Sequence, residues 1–288
     1  FSIFLDLSLL KFAQLIRRQS LNLSNQQIAS FPATYFANTA SSQPPEGSST
    51  GRTTYETAYV QTLFNRIAHR YDLLNHFLSS GLDILWRKQA IALLQQYHPK
   101  TILDVATGTG DFAIEAARLK PDRIVGLDSA AEMLTLAKRK VDRKKLNDVI
   151  RVEEGTAEDL PFPSGSFDAV TVAFGVRNFS NLEQGLAEIY RVLKPGGAAI
   201  VLEFSRPPSA FVRASYDFYS QRILPRLGVL ISNHRDAYEY LPRTIKEFPD
   251  GNDFCSIMRS SGLGDVRNVP LTLGVVTIYH GIKNPQGA

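Results

Sequence analysis

Between residues 101 and 204 the chain alternates short apolar runs with longer segments whose apolar positions recur every three to four residues. The short runs, 101–105, 123–127, 150–153, 169–173 and 199–204, have the length and continuity of strands covered on both faces. The longer segments, 112–119, 130–141 and 182–193, read as helices. This alternation predicts a parallel sheet with helices on both sides. Upstream, 55–98 has helical periodicity with several breaks and reads as a cap of two or three helices. Downstream, a helix at 252–261 precedes "DVRNVPLT" and "GVVTIYHGI". Their "LTLG" connection predicts a hairpin at the sheet edge. The stretch 206–249 is too long for a connection and rich in aromatics and arginines; it reads as a helical lid.

The first 54 residues break this pattern. "NTASSQPPEGSSTGRTT" is rich in Ser, Thr, Pro and Gly and predicts a flexible linker. Being Ser-rich and nearly free of acids, the tail has two readings: a disordered, atypical extension, or an organelle transit peptide. The remainder, 55–284, is expected to be a single domain, for which a chain of 288 residues is ample. A net charge of +4 fits weak attraction to an anionic surface and does not call for nucleic acid. Cys255 is the single cysteine, which excludes an internal disulfide and a cysteine metal cluster. The most apolar stretch, "FSIFLDLSLLKFAQLI", is interrupted by Asp6 and Lys11 and does not read as a membrane span.

Chemistry enters with "LDVATGTGDF", a strand running into Gly108-x-Gly110-x-x-Ala113 and then a helix. Glycines there let the backbone approach a ligand at the carboxyl edge of the sheet. The second strand ends at Asp128, whose carboxylate can accept both hydroxyls of an adenosine ribose or cap the following helix. NAD and S-adenosylmethionine both carry such a ribose. Three features favour S-adenosylmethionine. Asp111 at the helix start would repel a pyrophosphate but suits an ammonium and a sulfonium. The acidic turn at Glu158 and Asp159 follows the third strand, where adenine would lie. The terminal hairpin is an addition that methyltransferases make to the open sheet. A nicotinamide-linked oxidoreductase is the alternative of a different class.

"YDLLNHFLSSGLDILW", "LDVATGTGD", "AEDLPFP", "FGVRN" and "RVLKPGGAAIVLEFS" together resemble the ubiquinone/menaquinone biosynthesis C-methyltransferases. The likeness runs from about Val60 to Ile282. It departs from the family pattern at Leu74, where Met is usual, and at Asp83, where His is usual. Ala173 replaces a frequent Ser, and Ala199 is smaller than the usual residue. The resemblance implies a class I methyltransferase fold: Rossmann-like, seven-stranded and mostly parallel, with a terminal hairpin, a helical cap and a helical lid. It implies S-adenosylmethionine as methyl donor, without a metal, and a polyprenylated quinol as substrate. The best match is demethylmenaquinol methylation; a methoxy-benzoquinol of the ubiquinone branch and a plastid phylloquinone enzyme are alternatives.

The cofactor residues implied are Asp104, Gly108, Thr109, Gly110, Asp128, Thr156 and Ala157. Arg177 and Asn178 follow the fourth strand, at the edge where the methyl donor would sit. Arg177 is expected to stabilise a substrate phenolate and Asn178 to orient a hydroxyl or a water, while Arg177 as a salt-bridge partner is the competing reading. Tyr71 of the cap is the third catalytic candidate. The lid would supply an apolar channel for the prenyl tail, and Arg213, Arg222 and Arg226 would meet anionic headgroups. The expected location is the cytoplasmic face of a bacterial membrane, bound peripherally, with a homodimer left open and no nucleic-acid partner.

Overall fold

In the computed structural model the chain divides into two units, Phe1–Thr53 and Thr54–Ala288. The residues described are 57–79, 81–218 and 235–285, all in the second unit. The N-terminal tail, Arg222 and Arg226 therefore lie outside the described residues, as does the side chain of Tyr71.

Seven strands make one sheet in the order β3-β2-β1-β4-β5-β7-β6. They are β1 (Thr101–Val105), β2 (Arg123–Asp128), β3 (Ile150–Glu154), β4 (Phe167–Ala173), β5 (Leu193–Phe204), β6 (Gly264–Leu271) and β7 (Val276–Ile282). The first five pair in parallel, while β7 runs antiparallel to both β5 and β6. The hairpin thus closes one edge. The strand order reverses between β1 and β4, which opens a crevice at their carboxyl ends.

The helices are α1 (Thr57–Leu78), α2 (Leu82–Leu94), α3 (Asp111–Ala116), α4 (Ala131–Arg143), α5 (Leu182–Val192), α6 (Ala210–Phe218), α7 (Arg235–Glu247) and α8 (Asn252–Ser260). Alternate strand residues feed two separate cores. Leu103, Val105, Val170 and Val172 face a cluster with Leu186 and Ile189 of α5 and Phe254 and Met258 of α8. Ile102, Ile124 and Ile200 face the other side, against Trp86, Ile91 and Leu94 of α2 and Phe112 of α3. Burial on both faces is why the central parallel strands β1, β2 and β4 read as nearly continuous apolar runs, whereas the edge strand β3 does not.

Two boundaries differ from the pattern. The helix expected over 112–119 tightens to a 3-10 turn at Ala117–Leu119. β5 starts six residues earlier than its apolar run, because Leu193 already pairs with Phe167. A register shift follows between Phe167 and Ala169, and it absorbs the Pro-Gly-Gly segment that reads as a break.

The insertion after β5 is pinned at its base. Arg206 grips Asp250 through Nη2 at 2.6 Å and Nε at 3.0 Å, joining the two ends of the segment. Thr244, Ile245 and Phe248 bury the last turns of α7. α1 lies on α4 through Ala68, Phe64 and Met133.

Candidate active site

The carboxyl ends of β1, β2 and β4 border a cleft that opens to solvent. Gly108, Asp128, Thr156, Ala157 and Asn178 line it, together with Glu158, Met133 and Phe174. Val60 and Phe64 of α1 close one side. Backbone geometry here is unusual. Ala106 and Phe174, just past β1 and β4, hold left-handed φ values of 53° and 57° without being glycine. Such residues cost free energy and persist only where their surroundings enforce them. Gly175 follows Phe174, and a Cβ on it would fall 2.5 Å from the Ala106 Cβ. Only glycine lets these two strand ends meet so closely.

Asp128 occupies the tip of β2. Its Oδ2 accepts the Gly108 N–H at 2.7 Å and its Oδ1 accepts the Ala130 N–H at 2.9 Å. Each oxygen keeps lone-pair capacity for a further donor, as a pair of ribose hydroxyls requires. Burial pushes this carboxyl above its ordinary range, partly offset by the backbone donors. The side chain is not the helix cap: Ala130 holds the N-cap position of α4. Glu158 turns its Oε1 toward Ser180 Oγ at 2.7 Å and the Asn181 N–H at 3.2 Å, tying the loop after β3 to the start of α5.

Asp104 stands beneath the loop, buried, and is not in the cleft wall. It accepts from Thr107 Oγ1 at 2.6 Å and from Thr171 Oγ1 at 2.7 Å. Burial pushes its carboxyl up to about 6. Thr109 turns away from the cleft as well: its hydroxyl donates to Asp72 Oδ1 of α1 at 2.6 Å. Lys140 of α4 completes this clasp, reaching Thr109 Oγ1 at 2.8 Å, Asp111 Oδ1 at 2.6 Å and Asp72 Oδ2 at 2.5 Å. Asp111 is therefore neutralised, and its expected repulsion of a pyrophosphate passes to Asp128 and Glu158. Gly110 packs against Ala137 in the middle of the same helix.

Arg177 and Asn178 share one 3-10 turn, Val176–Asn178, but part company. Asn178 lines the cleft. The Arg177 guanidinium points inward, with Nη1 at 2.6 Å from both Glu203 Oε1 and the Phe174 carbonyl. The two charged side chains are 4% and 0% exposed. A buried carboxylate on β5 thus holds the guanidinium, the salt-bridge arrangement that competes with the expected contact to a phenolate. Asp83, where the family pattern has His, forms a buried ion pair with Arg87 one turn along α2 at 2.6 Å. Sequence reasoning missed Glu203, Lys140 and the cleft residues of α1. A charged residue in the apolar run "VLEFS" was the signal for the first.

The charge of the cleft sorts its ligands. Among the described lining residues the charged side chains are Asp128 and Glu158; no Lys or Arg lines the wall. The charged groups that a pyrophosphate would meet among them are carboxylates. A cationic ligand with a ribose fits the donor set, and S-adenosylmethionine has both features.

The fold and this cleft define an S-adenosylmethionine-dependent methyltransferase. A crystal structure of such an enzyme from Thermotoga maritima superposes with a TM-score of 0.54 at 21% identity, covering 78% of this chain and 99% of that one. The model of the ubiE/COQ5 methyltransferase family matches residues 52–283, and the chain belongs to that family. The demethylmenaquinone methyltransferase of Deinococcus radiodurans is 46% identical over 85% of this chain and 99% of its own length. That of Thermus thermophilus is 47% identical over 76% and 99%. The ubiquinone/menaquinone biosynthesis C-methyltransferase of Geotalea daltonii is 43% identical over 78% and 96%.

Proposed function

We propose that the chain methylates a ring carbon of a polyprenylated quinol, converting demethylmenaquinol to menaquinol. The observation that carries this reading is the 46% identity with a demethylmenaquinone methyltransferase across 99% of that relative's length. A methoxy-benzoquinol is the second substrate to test, because relatives at 43% identity bear the ubiquinone/menaquinone name.

S-adenosylmethionine supplies a methyl on a sulfonium, open to in-line displacement by an electron-rich carbon. Gly108, Asp128, Thr156 and Ala157 hold its nucleoside, and Asp104, Thr109 and Gly110 set the loop beneath. A quinol hydroxyl that loses its proton leaves a phenolate with carbanion character at the neighbouring carbon. That carbon forms the new C–C bond as the sulfur–methyl bond breaks. The ring carbon then sheds its own proton to water, which restores aromaticity, and the phenolate oxygen takes a proton back to give the quinol, one proton being released overall. Asn178 donates from its amide to the substrate oxygen, and the Arg177–Glu203 pair fixes the turn that presents it. Tyr71 of α1 is the remaining candidate contact with the quinol. Only the reduced ring is nucleophilic. Turnover is expected with demethylmenaquinol and not with demethylmenaquinone, and equal turnover of both would overturn the reading. Calorimetry should give binding of S-adenosylmethionine that Asp128→Asn weakens at least tenfold, and no heat with NAD.

A membrane surface would deliver so apolar a substrate. Among the described residues no helix is long and apolar enough to cross a bilayer, so the contact proposed is peripheral. Ile84, Phe211 and Leu273 are 44%, 78% and 47% exposed. Their segments converge on the carboxyl edge of β5: Trp86 Nε1 donates to Thr272 Oγ1 at 2.7 Å, and Gly274 lies against Pro208. With Arg213 exposed nearby, this edge suits an anionic leaflet on the cytoplasmic side. A Phe211→Glu/Leu273→Glu variant is expected to stop sedimenting with phosphatidylethanolamine–phosphatidylglycerol vesicles. Undiminished sedimentation contradicts the proposal.

A further inference from the structure

Tyr240 lies on α7, in the insertion and distant in sequence from every motif of the cleft. It is 4% exposed. Its hydroxyl donates to Asn178 Oδ1 at 2.9 Å. Its ring lies 6.1 Å from that of Tyr59 on α1, tilted by 54°. One side chain thus joins the lid helix, the cap helix and the turn that carries Asn178.

We infer that Tyr240 is a positioning residue that sets the amide of Asn178 for the methyl-transfer step. An asparagine amide is nearly symmetric in shape but not in hydrogen bonding: one end accepts and the other donates. A donor fixed on Oδ1 selects the rotamer in which Nδ2 and its two protons face away from Tyr240. Asn178 also lines the cleft, so that choice presents donors to a ligand there. A substrate oxygen gaining negative charge needs donors and is repelled by a carbonyl oxygen. A flipped amide would therefore oppose the reaction that the upright one assists.

The arrangement also couples the lid to the chemistry. Tyr240 reaches Asn178 only when α7 is seated, and α7 is anchored by the buried Thr244, Ile245 and Phe248. The inference rests on the proposed function for the identity of the substrate oxygen, but the rotamer selection itself does not.

Tyr240→Phe removes the donor and keeps the ring. With the reduced quinol it is expected to lower kcat about tenfold, with KM for the quinol, affinity for S-adenosylmethionine and Tm close to wild type. In an Asn178→Ala background the same change is expected to add less than twofold. Equal losses in both backgrounds, or unchanged kcat, would overturn the assignment. A second readout needs no turnover. The Asn178 side-chain amide signals in nitrogen–proton NMR, identified by their loss in Asn178→Ala, are expected to shift and broaden in Tyr240→Phe. If those signals stay unchanged, the positioning role fails even where the quinol reading stands. If they move while wild type turns over no quinol, the positioning role stands and the substrate reading fails.

Discussion

Glu203→Gln separates two roles that Arg177 could play. The change keeps the side-chain shape and removes one negative charge from a pair whose members are 2.6 Å apart and 4% and 0% exposed. Glu203 also accepts the Phe204 N–H at 2.8 Å, and the amide can keep one such bond. What it cannot do is neutralise the guanidinium. Leaving one partner of a buried pair uncompensated costs roughly 3–5 kcal/mol. For a domain of this size each kcal/mol lowers Tm by about 2–4 °C. The expected drop is therefore roughly 6–20 °C by scanning fluorimetry. Turnover decides the role. If Arg177 acts by holding the Val176–Asn178 turn, Glu203→Gln lowers kcat along with Tm. If Arg177 acts directly on substrate, releasing its guanidinium leaves kcat intact or raises it. A Tm within 2 °C of wild type, or undiminished kcat, would refute the reasoning. An Arg177→Met/Glu203→Leu double variant should recover part of the lost stability, because no charge is then stranded.

Asp104 carries a pH signature. Burial raises its folded pKa from the usual 3.8 to about 6, so the folded state binds the proton more tightly than the unfolded chain. Its contribution is fully present below pH 3.8 and is lost as pH rises through about 6, a change of about 3 kcal/mol at roughly 1.4 kcal/mol per pKa unit. Asp104→Asn escapes this loss: its Tm relative to wild type should climb between pH 4 and 7, and a constant difference would contradict the sign. Lys140→Ala cuts the clasp among Thr109, Asp111 and Asp72. It should weaken S-adenosylmethionine binding several-fold by calorimetry while lowering Tm by only a few degrees, and unchanged affinity would count against the clasp.

The sheet was legible because its central strands β1, β2 and β4 are apolar on both faces, and β1 to β4 lie within two residues of their expected bounds. β5 was less so, since Leu193 pairs across a register shift that no local pattern encodes. Asp128 could be placed because a strand end fixes its position along the sheet edge. Thr109 and Arg177 could not be oriented the same way. Their directions depend on Asp72, Lys140 and Glu203, partners 37, 31 and 26 residues away. Periodicity says which element a residue sits on, and says nothing of which distant charge will claim it. Tyr240 escaped notice for a like reason: its partner is Asn178, 62 residues earlier.

The most direct test supplies S-adenosylmethionine labelled in the methyl group, together with reduced demethylmenaquinol and the methoxy-benzoquinol, to the full chain on vesicles. The account predicts label on a ring carbon of the naphthoquinol, with Asp128→Asn abolishing transfer. Label on neither ring, or on a quinol oxygen in place of carbon, would contradict it.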